Sequence, residues 1–344
     1  MKVLLFSDNH FCKVGSILNR RGDKYFERLE NQIKSINWLE KVAVEKNCDE
    51  VWCLGDFFNK PDLYEEELTA LKDINWSTLP HKFIVGNHES GQGDLCYNSV
   101  KVLEKPGFEV INKVENVFID GKNVVFVPYF SELTKVKLED LFVGHADIVL
   151  SHNTIAGIQM GQIITTLGFE MDEILAKSTL FINGHLHNGS WVKKDRILNI
   201  GSLTGFNFSE DATKYAHNVI ILDTNTLSLE FIENPYAYNF YKLEIHSEKD
   251  LEQLYKLKKN AVLQIKCDEQ YLDDLKQILA DEINEIVNSR VITIYQKAVQ
   301  IAESEAEKID LNANPIEKFI ELCKTKFTDS RILDEELAEI CKQG

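Results

Sequence analysis

Five predicted β-strands in this chain each stop at a polar group that can bind a metal ion. The strands are the apolar runs at residues 2–6, 50–54, 82–85, 147–150 and 180–182. The groups that follow them are Asp8 with His10, Asp56, Asn87 with His88, His152, and His185 with His187. Five of the nine histidines stand in these groups. Because sites in α/β proteins lie at the carboxyl ends of strands, we expect these side chains to meet.

The last group, His185 and His187, shows why the combination matters more than any single motif. A turn signal at Asn183-Gly184 ends the strand before it, and residues two apart on an extended chain point to the same side. Both imidazoles can therefore reach one point, and neutral imidazole is a common metal ligand. A lone His-x-His pair is more often a surface or core feature, so the prediction depends on the other four strand ends.

The order of predicted elements indicates an α/β (α+β) fold in three parts. Residues 1–235 begin with β-α-β alternation and continue with antiparallel strands, which predicts two packed sheets flanked by helices. Residues 236–296 form a small β-α-β-α-β unit, which we expect to be a separate small α/β domain. Residues 297–344 combine an acidic linker with two short amphipathic helices, which we expect to dock onto a partner.

Composition and charge restrict the class of protein. The 344 residues suffice for two or three domains, and 44% of them are hydrophobic. No apolar run reaches the roughly 18 residues of a membrane helix, and the N-terminus is typical of a strand rather than a signal peptide. Seven cysteines without a Cys-x-x-Cys pair favour a reduced, cytoplasmic protein. The net charge of −17 opposes binding to nucleic-acid phosphates, although divalent cations would offset part of it.

The candidate ligands are carboxylates, imidazoles and one carboxamide, a set that suits Mn²⁺, iron or Zn²⁺. They are Asp8, His10, Asp56, Asn87, His152, His185 and His187. Seven ligands are too many for one catalytic metal, but they suit two metals about 3.5–4 Å apart that share a carboxylate. Asp56 stands alone at its strand end and is the expected bridge. His88, beside Asn87, is the expected general acid for a leaving alkoxide.

These blocks, taken together, resemble the signature of the calcineurin-like metallophosphoesterases. The matching blocks are Asp8-x-His10, Gly55-Asp56, Gly86-Asn87-His88-Glu89, His152 and Gly184-His185-x-His187, in the order of the family. The resemblance implies a two-sheet sandwich flanked by helices. It implies one metal held by Asp8, His10, Asp56 and His187, and a second held by Asp56, Asn87, His152 and His185. It also implies that His88 is catalytic without being a ligand.

Within this family the chain resembles the SbcD-type nuclease subunits of double-strand-break repair complexes. Gly55-Asp56-Phe57-Phe58 is similar to their Gly-Asp-Leu-Phe, and residues 200–211 look like their Gly-Ser segment. A small α/β capping domain and C-terminal helices follow the same plan, as in phage-encoded recombination endonucleases. The resemblance implies a Mn²⁺-dependent exo- and endonuclease for double-strand ends and single strands of DNA. It further implies an SMC-like ATPase partner of SbcC type, a homodimer and no membrane.

Three departures from that pattern leave the substrate preference open. They are Phe11-Cys12 after His10, Asn59 where archaeal and eukaryotic members have a histidine, and Glu89 in place of Asp. One alternative is a metallophosphoesterase for small nucleotides or phosphoproteins, although the Gly-Asp-x-x-Asp-Arg-Gly of Ser/Thr phosphatases is absent. Another is a non-catalytic scaffold with a structural metal site, which the candidate acid at His88 argues against. The remaining histidines are expected to be structural or solvent-exposed: His81, His145, His217 and His246.

Overall fold

Two six-stranded β-sheets and a smaller third sheet make up the framework of this computed structural model. It describes residues 1–13, 15, 18–91, 93–131, 134–160, 163–280 and 286–294. The strands in chain order are β1 Lys2–Phe6, β2 Glu50–Cys53, β3 His81–Ile84, β4 Ser90–Gly91, β5 Asp94–Asn98, β6 Phe108–Ile111, β7 Glu115–Ile119, β8 Lys122–Val127, β9 Ala146–Ser151, β10 Gln159–Met160, β11 Ile163–Ile164, β12 Ser178–Asn183, β13 Ser190–Lys193, β14 Ile197–Asn199, β15 Asn218–Asp223, β16 Leu229–Glu233, β17 Asn239–Ile245, β18 Ala261–Asp268 and β19 Ile286–Ile294. The α-helices are α1 Glu27–Glu45, α2 Glu65–Ala70, α3 Leu138–Leu141, α4 Met171–Lys177, α5 Glu248–Leu251 and α6 Leu272–Ala280.

The two large sheets each have a parallel centre. The first has the order β16-β15-β1-β2-β3-β6 and the second β13-β14-β12-β9-β8-β7. Strands β1, β2, β3 and β6 are parallel, as are β8, β9, β12 and β14. Parallel strands are buried on both faces, which explains the near-continuous apolar runs in the sequence. The carboxyl ends of the parallel strands within each sheet therefore lie at one edge, where the polar groups follow them.

The sheets pack face to face through one apolar layer, which confirms the predicted sandwich. Strands of the first sheet contribute Leu5, Trp52 and Ile84 to this layer, and strands of the second contribute Phe126 and Ile182. The rings of Trp52 and Phe126 meet edge to face across the sheets, with centroids 5.0 Å apart. This geometry is favourable for aromatic pairs and ties β2 to β8.

Substitution of Phe126 by alanine is expected to lower the free energy of unfolding by about 3–5 kcal/mol, because a large side chain would leave a cavity between the sheets. Phe126 is 1% exposed, whereas Phe118 on the neighbouring strand β7 is 77% exposed. Phe118→Ala is the matched control and should change stability by less than about 0.5 kcal/mol. Urea-induced unfolding followed by circular dichroism measures both. Equal losses in the two variants would contradict this account of the sandwich.

Helices cover the outer faces of both sheets. Helix α1 buries Leu29, Ile36 and Leu39 against the first sheet, and α3 and α4 pack against the second. The sequence predicts a long amphipathic helix between Arg21 and Asn47, and α1 lies within that range. Its start follows a turn in which Glu30 Oε1 accepts hydrogen bonds from the backbone N–H groups of residues 24 and 25, at 2.7 and 2.9 Å.

The third sheet has the order β17-β18-β19 and packs with α5 and α6 around its own apolar cluster. The β-α-β-α-β pattern predicted for this part is confirmed. In this unit the sequence predicts a helix over residues 270–287 and a strand over residues 290–295. The structure describes α6 over Leu272–Ala280 and has β19 from Ile286. Ile286 and Val287 are β-branched and favour a strand, which explains the difference.

Residues 1–292 form one compact unit. The predicted domain boundary near residue 235 lies within this unit and stays a prediction. A small apolar cluster in this unit joins Leu18 and Phe208 to Phe240 of β17. The predicted linker and C-terminal helices, 297–344, lie outside the described residues. No helix in the part of the chain that the structure describes is long and apolar enough to cross a membrane.

Candidate metal centre

The strand ends around the candidate ligands have an unusual backbone conformation. Four non-glycine residues there have a positive φ: Asp8 at 49°, His10 at 48°, Asp56 at 50° and His185 at 73°. Such residues are uncommon and cluster at functional sites, where the surrounding structure enforces them. The N–H of His10 donates to the carbonyl of Asp56 at 2.9 Å and thereby joins the ends of β1 and β2. The backbone thus turns these side chains toward one another.

The first ligand cluster contains Asp8, His10 and His187. The Nε2 atoms of the two imidazoles lie 2.9 Å apart, and each is 4.0 Å from Asp8 Oδ1. Both Nδ1 atoms face acceptor oxygens, that of Asn59 at 3.1 Å and that of Glu210 at 2.9 Å. The rings therefore carry their protons on Nδ1, and two Nε2 lone pairs point into the same space. Asp8 Oδ1 is buried and has no hydrogen-bond partner among the described residues.

The second ligand cluster contains Asp56, His152 and His185. His152 Nε2 is 3.2 Å from Asp56 Oδ2 and 3.2 Å from Asn87 Oδ1. His185 Nδ1 is 3.0 Å from the same Asn87 oxygen. The Nδ1–H of His152 donates to the carbonyl of Leu54 at 2.6 Å, which directs its Nε2 into the cluster.

Asp56 connects the two clusters. Its Oδ2 lies 3.9 Å from His10 Nε2 on one side and 3.2 Å from His152 Nε2 on the other. The structure thus brings all seven predicted ligands together and separates His187 from His185, one in each cluster. Carboxylate oxygens and imidazole nitrogens that converge in this way fit divalent cations. The assignment of individual ligands stays a prediction.

His88 lies beside both clusters. Its backbone N–H donates to Asp56 Oδ1 at 3.0 Å, and its ring Nδ1 is 2.9 Å from the carbonyl of Asn59. A carbonyl only accepts, so Nδ1 carries the proton and Nε2 is the atom free to exchange one. The ring lies 4.6 Å from that of His10, close enough for His88 to form a further ligand group with His10 and Asp56. The role of His88 as a non-ligand acid stays a prediction.

The sequence of this site matches a known family. The family model of the calcineurin-like phosphoesterases matches residues 1–222. This chain belongs to the calcineurin-like phosphoesterases. Among curated proteins, none matches it.

Solved structures with low sequence identity resemble parts of this calcineurin-like phosphoesterase. Protein TT1561 of Thermus thermophilus is 11% identical, with 67% of this chain and 98% of that chain covered and a TM-score of 0.39. Protein AQ665 of Aquifex aeolicus, described as of unknown function, is 19% identical, with coverage of 58% and 88% and a TM-score of 0.30. A metallophosphoesterase from Sphaerobacter thermophilus is 12% identical, with coverage of 68% and 89% and a TM-score of 0.27.

Burial and charge perturb the titration of the phosphoesterase site. Burial raises the pKa of Asp8 and lowers that of His10 well below its usual value. Burial also opposes the charged forms of Asp56 and His152, but their mutual attraction and hydrogen bond prevail. The pKa of Asp56 is lowered, and that of His152 is raised to about 9. The buried carboxyl groups of Asp8 and Asp56 lie at neighbouring strand ends. Divalent cations bound there would supply the positive charge that stabilises both as carboxylates.

Several residues contact the candidate ligands although nothing in the sequence predicted these contacts. Asn59 was a departure from the family pattern, yet its side chain contacts His10 and its carbonyl contacts His88. Glu210 and Phe206 belong to the segment after β14, and the ring of Phe206 lies 4.7 Å from that of His10. Only proximity in the fold reveals these contacts.

Glu89, another departure, has a structural place next to the site. Its two carboxylate oxygens accept the backbone N–H groups of Phe58, at 3.0 Å, and of Gly86, at 2.8 Å. Burial, reinforced by the charge of Asp56, raises the pKa of Glu89 to about 8. Glu89 thereby ties the turn after β2 to the turn after β3.

Gly55→Ala is expected to destabilise the fold and to weaken binding at the second cluster. Gly55 has φ +100°, and a Cβ there would stand 2.3 Å from Nδ1 of His152. Gly121 is the matched control, because its φ is +75° and no described heavy atom lies within 4 Å of a Cβ there. Gly121→Ala should cost only about 1–2 kcal/mol of backbone strain. Urea unfolding and Mn²⁺ titration measure the effects, and equal behaviour of both variants would contradict the role given to Gly55.

Proposed function

We propose that this chain is a divalent-metal-dependent DNA nuclease, the nuclease subunit of an SbcC/SbcD-type recombination and repair complex. Family membership supports the coarser activity, hydrolysis of phosphoesters with bound metal. The observation that carries the proposal is the pair of ligand clusters that share Asp56, with the imidazole of His88 beside them. Mn²⁺ is the ion that the resemblance to the SbcD-type nucleases implies, and the donor set of carboxylates, imidazoles and one carboxamide suits it.

In phosphodiester hydrolysis, seven side chains would bind the metals and His88 would donate a proton. Bound divalent metals would supply a nucleophilic hydroxide and neutralise charge on the phosphate. Asp8, His10, Asp56 and His187 would hold one metal, and Asp56, Asn87, His152 and His185 the other. His88, whose Nδ1–H donates to the carbonyl of Asn59, would act in its imidazolium form, giving the Nε2 proton to the leaving oxygen and becoming neutral.

A DNA substrate is supported by the segment that resembles the SbcD-type nucleases. Within residues 200–211, Phe206 packs on the ring of His10 and Glu210 contacts His187. Directly after this segment, the N–H of Ala212 donates to the carbonyl of Phe240 in the third sheet, at 3.0 Å. These contacts favour a capping role for that sheet next to the site. We propose a cytoplasmic location, in the host cell if the chain is phage-encoded.

One observation favours a second candidate, a phosphodiesterase for small nucleotides. The net charge of −17 repels an extended phosphate backbone. A mononucleotide carries few phosphates, which the metals alone would neutralise. The nuclease proposal requires an ATPase subunit of SbcC type to supply part of the DNA contact.

A Mn²⁺-dependent assay separates these candidates. Linear duplex DNA, circular single-stranded DNA and a p-nitrophenyl phosphodiester are each incubated with the full chain, with and without the SbcC-type ATPase. Cleavage of DNA supports the nuclease. Hydrolysis of the p-nitrophenyl ester without DNA cleavage in either condition refutes the nuclease and supports the small-substrate enzyme. If no substrate is hydrolysed, both enzyme candidates are refuted and the non-catalytic scaffold with a structural metal site is supported.

The partner proposal has its own test. We propose that residues 297–344 dock on the SMC-like ATPase and that the nuclease is a homodimer. The full chain and residues 1–296 are each used to pull down the ATPase. Equal recovery of the ATPase with both refutes docking through the C-terminal segment. Sedimentation of the full chain measures its oligomeric state, and a monomer at micromolar concentration refutes the dimer.

A further inference from the structure

We infer that Glu210 is a positioning residue, whose carboxylate orients His187 toward the first ligand cluster and strengthens it as a metal ligand. This inference rests on the metal centre of the proposed function. It adds a residue outside the seven predicted ligands and His88. Glu210 lies in the loop between β14 and β15, 23 residues after His187.

The contact between Glu210 and His187 determines which ring nitrogen faces the cluster. His187 Nδ1 lies 2.9 Å from Glu210 Oε1, and a carboxylate oxygen accepts a proton donor. Nδ1 therefore keeps its hydrogen, and Nε2 presents its lone pair. That Nε2 is 2.9 Å from His10 Nε2 and 4.0 Å from Asp8 Oδ1. Such carboxylate–imidazole pairs orient metal-binding histidines and raise their basicity.

Glu210 is itself held in place. Its side chain is 3% exposed, and the backbone N–H of Phe206 donates to both of its oxygens, at 2.9 and 3.1 Å. His217 Nε2 lies 3.7 Å from Oε2. The loop is fixed at one end by Arg28, whose Nη1 donates to the carbonyl of Gly205 at 3.1 Å. The carboxylate is thus a pre-organised acceptor rather than a mobile surface group.

The candidate histidine ligands differ in the group that accepts the Nδ1 proton. For His10 this group is the neutral side-chain amide of Asn59, and for His152 it is the neutral carbonyl of Leu54. His187, by contrast, faces a buried carboxylate. Its side chain is also 18% exposed, whereas those of His10 and His152 are at most 1% exposed. A ligand packed less tightly depends more on its hydrogen bond for orientation.

The test is calorimetric titration of the metal-free full chain with Mn²⁺, which needs no activity assay. The unchanged protein should bind two equivalents. In Glu210→Gln the amide oxygen can still accept from His187 and Phe206, but the charge is gone, and one equivalent should weaken about 10-fold. In Glu210→Ala the same equivalent should weaken by up to about 100-fold. The other equivalent should keep its affinity, because its predicted ligands are not the ones that Glu210 orients.

The neighbouring carboxylate supplies the control. Asp211 contacts Thr213 and Lys214 instead of the cluster, so Asp211→Asn should leave both equivalents unchanged. Thermal unfolding of the metal-free proteins separates positioning from a purely structural role. An unchanged melting temperature in Glu210→Gln with selective loss at one equivalent supports the inference.

Three other outcomes would refute the role of Glu210, and one of them would also refute the metal centre. Equal affinities in the unchanged protein and Glu210→Gln refute the role of Glu210 and leave the metal centre standing. Weakening of both equivalents together with a lower melting temperature shows a structural role and also refutes it. If the unchanged protein binds no Mn²⁺, the metal centre of the proposed function fails and the inference falls with it.

Discussion

Substitution of Asp56 by asparagine is expected to lower phosphodiester hydrolysis by at least about 1000-fold, equivalent to about 4 kcal/mol of transition-state stabilisation. Asp56 is the residue whose carboxylate reaches both ligand clusters, at 3.9 Å from His10 and 3.2 Å from His152. An amide has the same shape but no charge. We therefore expect both metal equivalents to weaken, whereas a change at any other ligand should affect mainly one. The rate is measured on a p-nitrophenyl phosphodiester at saturating Mn²⁺.

Thermal unfolding with and without Mn²⁺ checks the same substitution independently of activity. A ligand at 100 times its dissociation constant stabilises a protein by about 2.7 kcal/mol, so the melting temperature of the unchanged protein should rise with Mn²⁺. Asp56→Asn should lose this rise, and without metal it should be less stable than the unchanged protein, because His152 loses its buried charged partner. Asp62→Asn, at an exposed position shortly after β2, is the control and should behave like the unchanged protein. A full Mn²⁺ response in Asp56→Asn would disprove the bridging role.

Substitution of His88 by alanine is expected to lower the rate by about 100- to 10,000-fold, the usual contribution of a positioned acid or base, with little change in Mn²⁺ affinity. The ring is held by the Asn59 carbonyl, which leaves Nε2 to protonate a leaving oxygen. The loss should depend on the leaving group. An alkoxide needs the proton, whereas p-nitrophenolate leaves without it, so an alkyl phosphodiester should lose more activity than a p-nitrophenyl one.

A histidine outside the site supplies the comparison for His88. His145 is exposed and contacts the carbonyl of Ala176 and the hydroxyl of Thr179, so His145→Ala should keep full activity. If His88→Ala loses one Mn²⁺ equivalent, His88 is a ligand with His10 and Asp56 and not the acid. Equal losses on the alkyl and p-nitrophenyl esters would also count against proton donation.

Local sequence patterns predicted much of the fold because they record burial. The runs that became β1, β2, β3, β9 and β12 are apolar since parallel strands are covered on both faces. The hairpin around Asp120-Gly121 was predictable from its two turn residues, and β7 and β8 pair antiparallel there. Helix ends were less predictable. The start of α1 depends on Glu30 reaching back to a turn, a contact that apolar spacing does not report.

The candidate site shows the same division between sequence and structure. Every predicted ligand follows a strand, so a list of strand ends with Asp, Asn or His was enough to collect them. Asn59 and Glu210 were not predicted as support for His10 and His187. Asn59 lies three residues beyond Asp56 in a loop, and Glu210 in a loop after β14. Neither position has a spacing that distinguishes it from an ordinary polar loop residue.

The sequence by itself determined the residue types at the strand ends, the family to which they belong and the elements that carry them. The family resemblance implied which of these side chains meet, but only the tertiary structure shows the contacts: His187 with Asp8 and His10, His185 with Asn87, and Asp56 between them. The physical reason is that a strand end is specified by its own residues. A contact between two ends instead depends on sheet order and on how the two sheets stack. In the metal centre these produce positive φ values and a carboxylate behind His187 that no local pattern encodes.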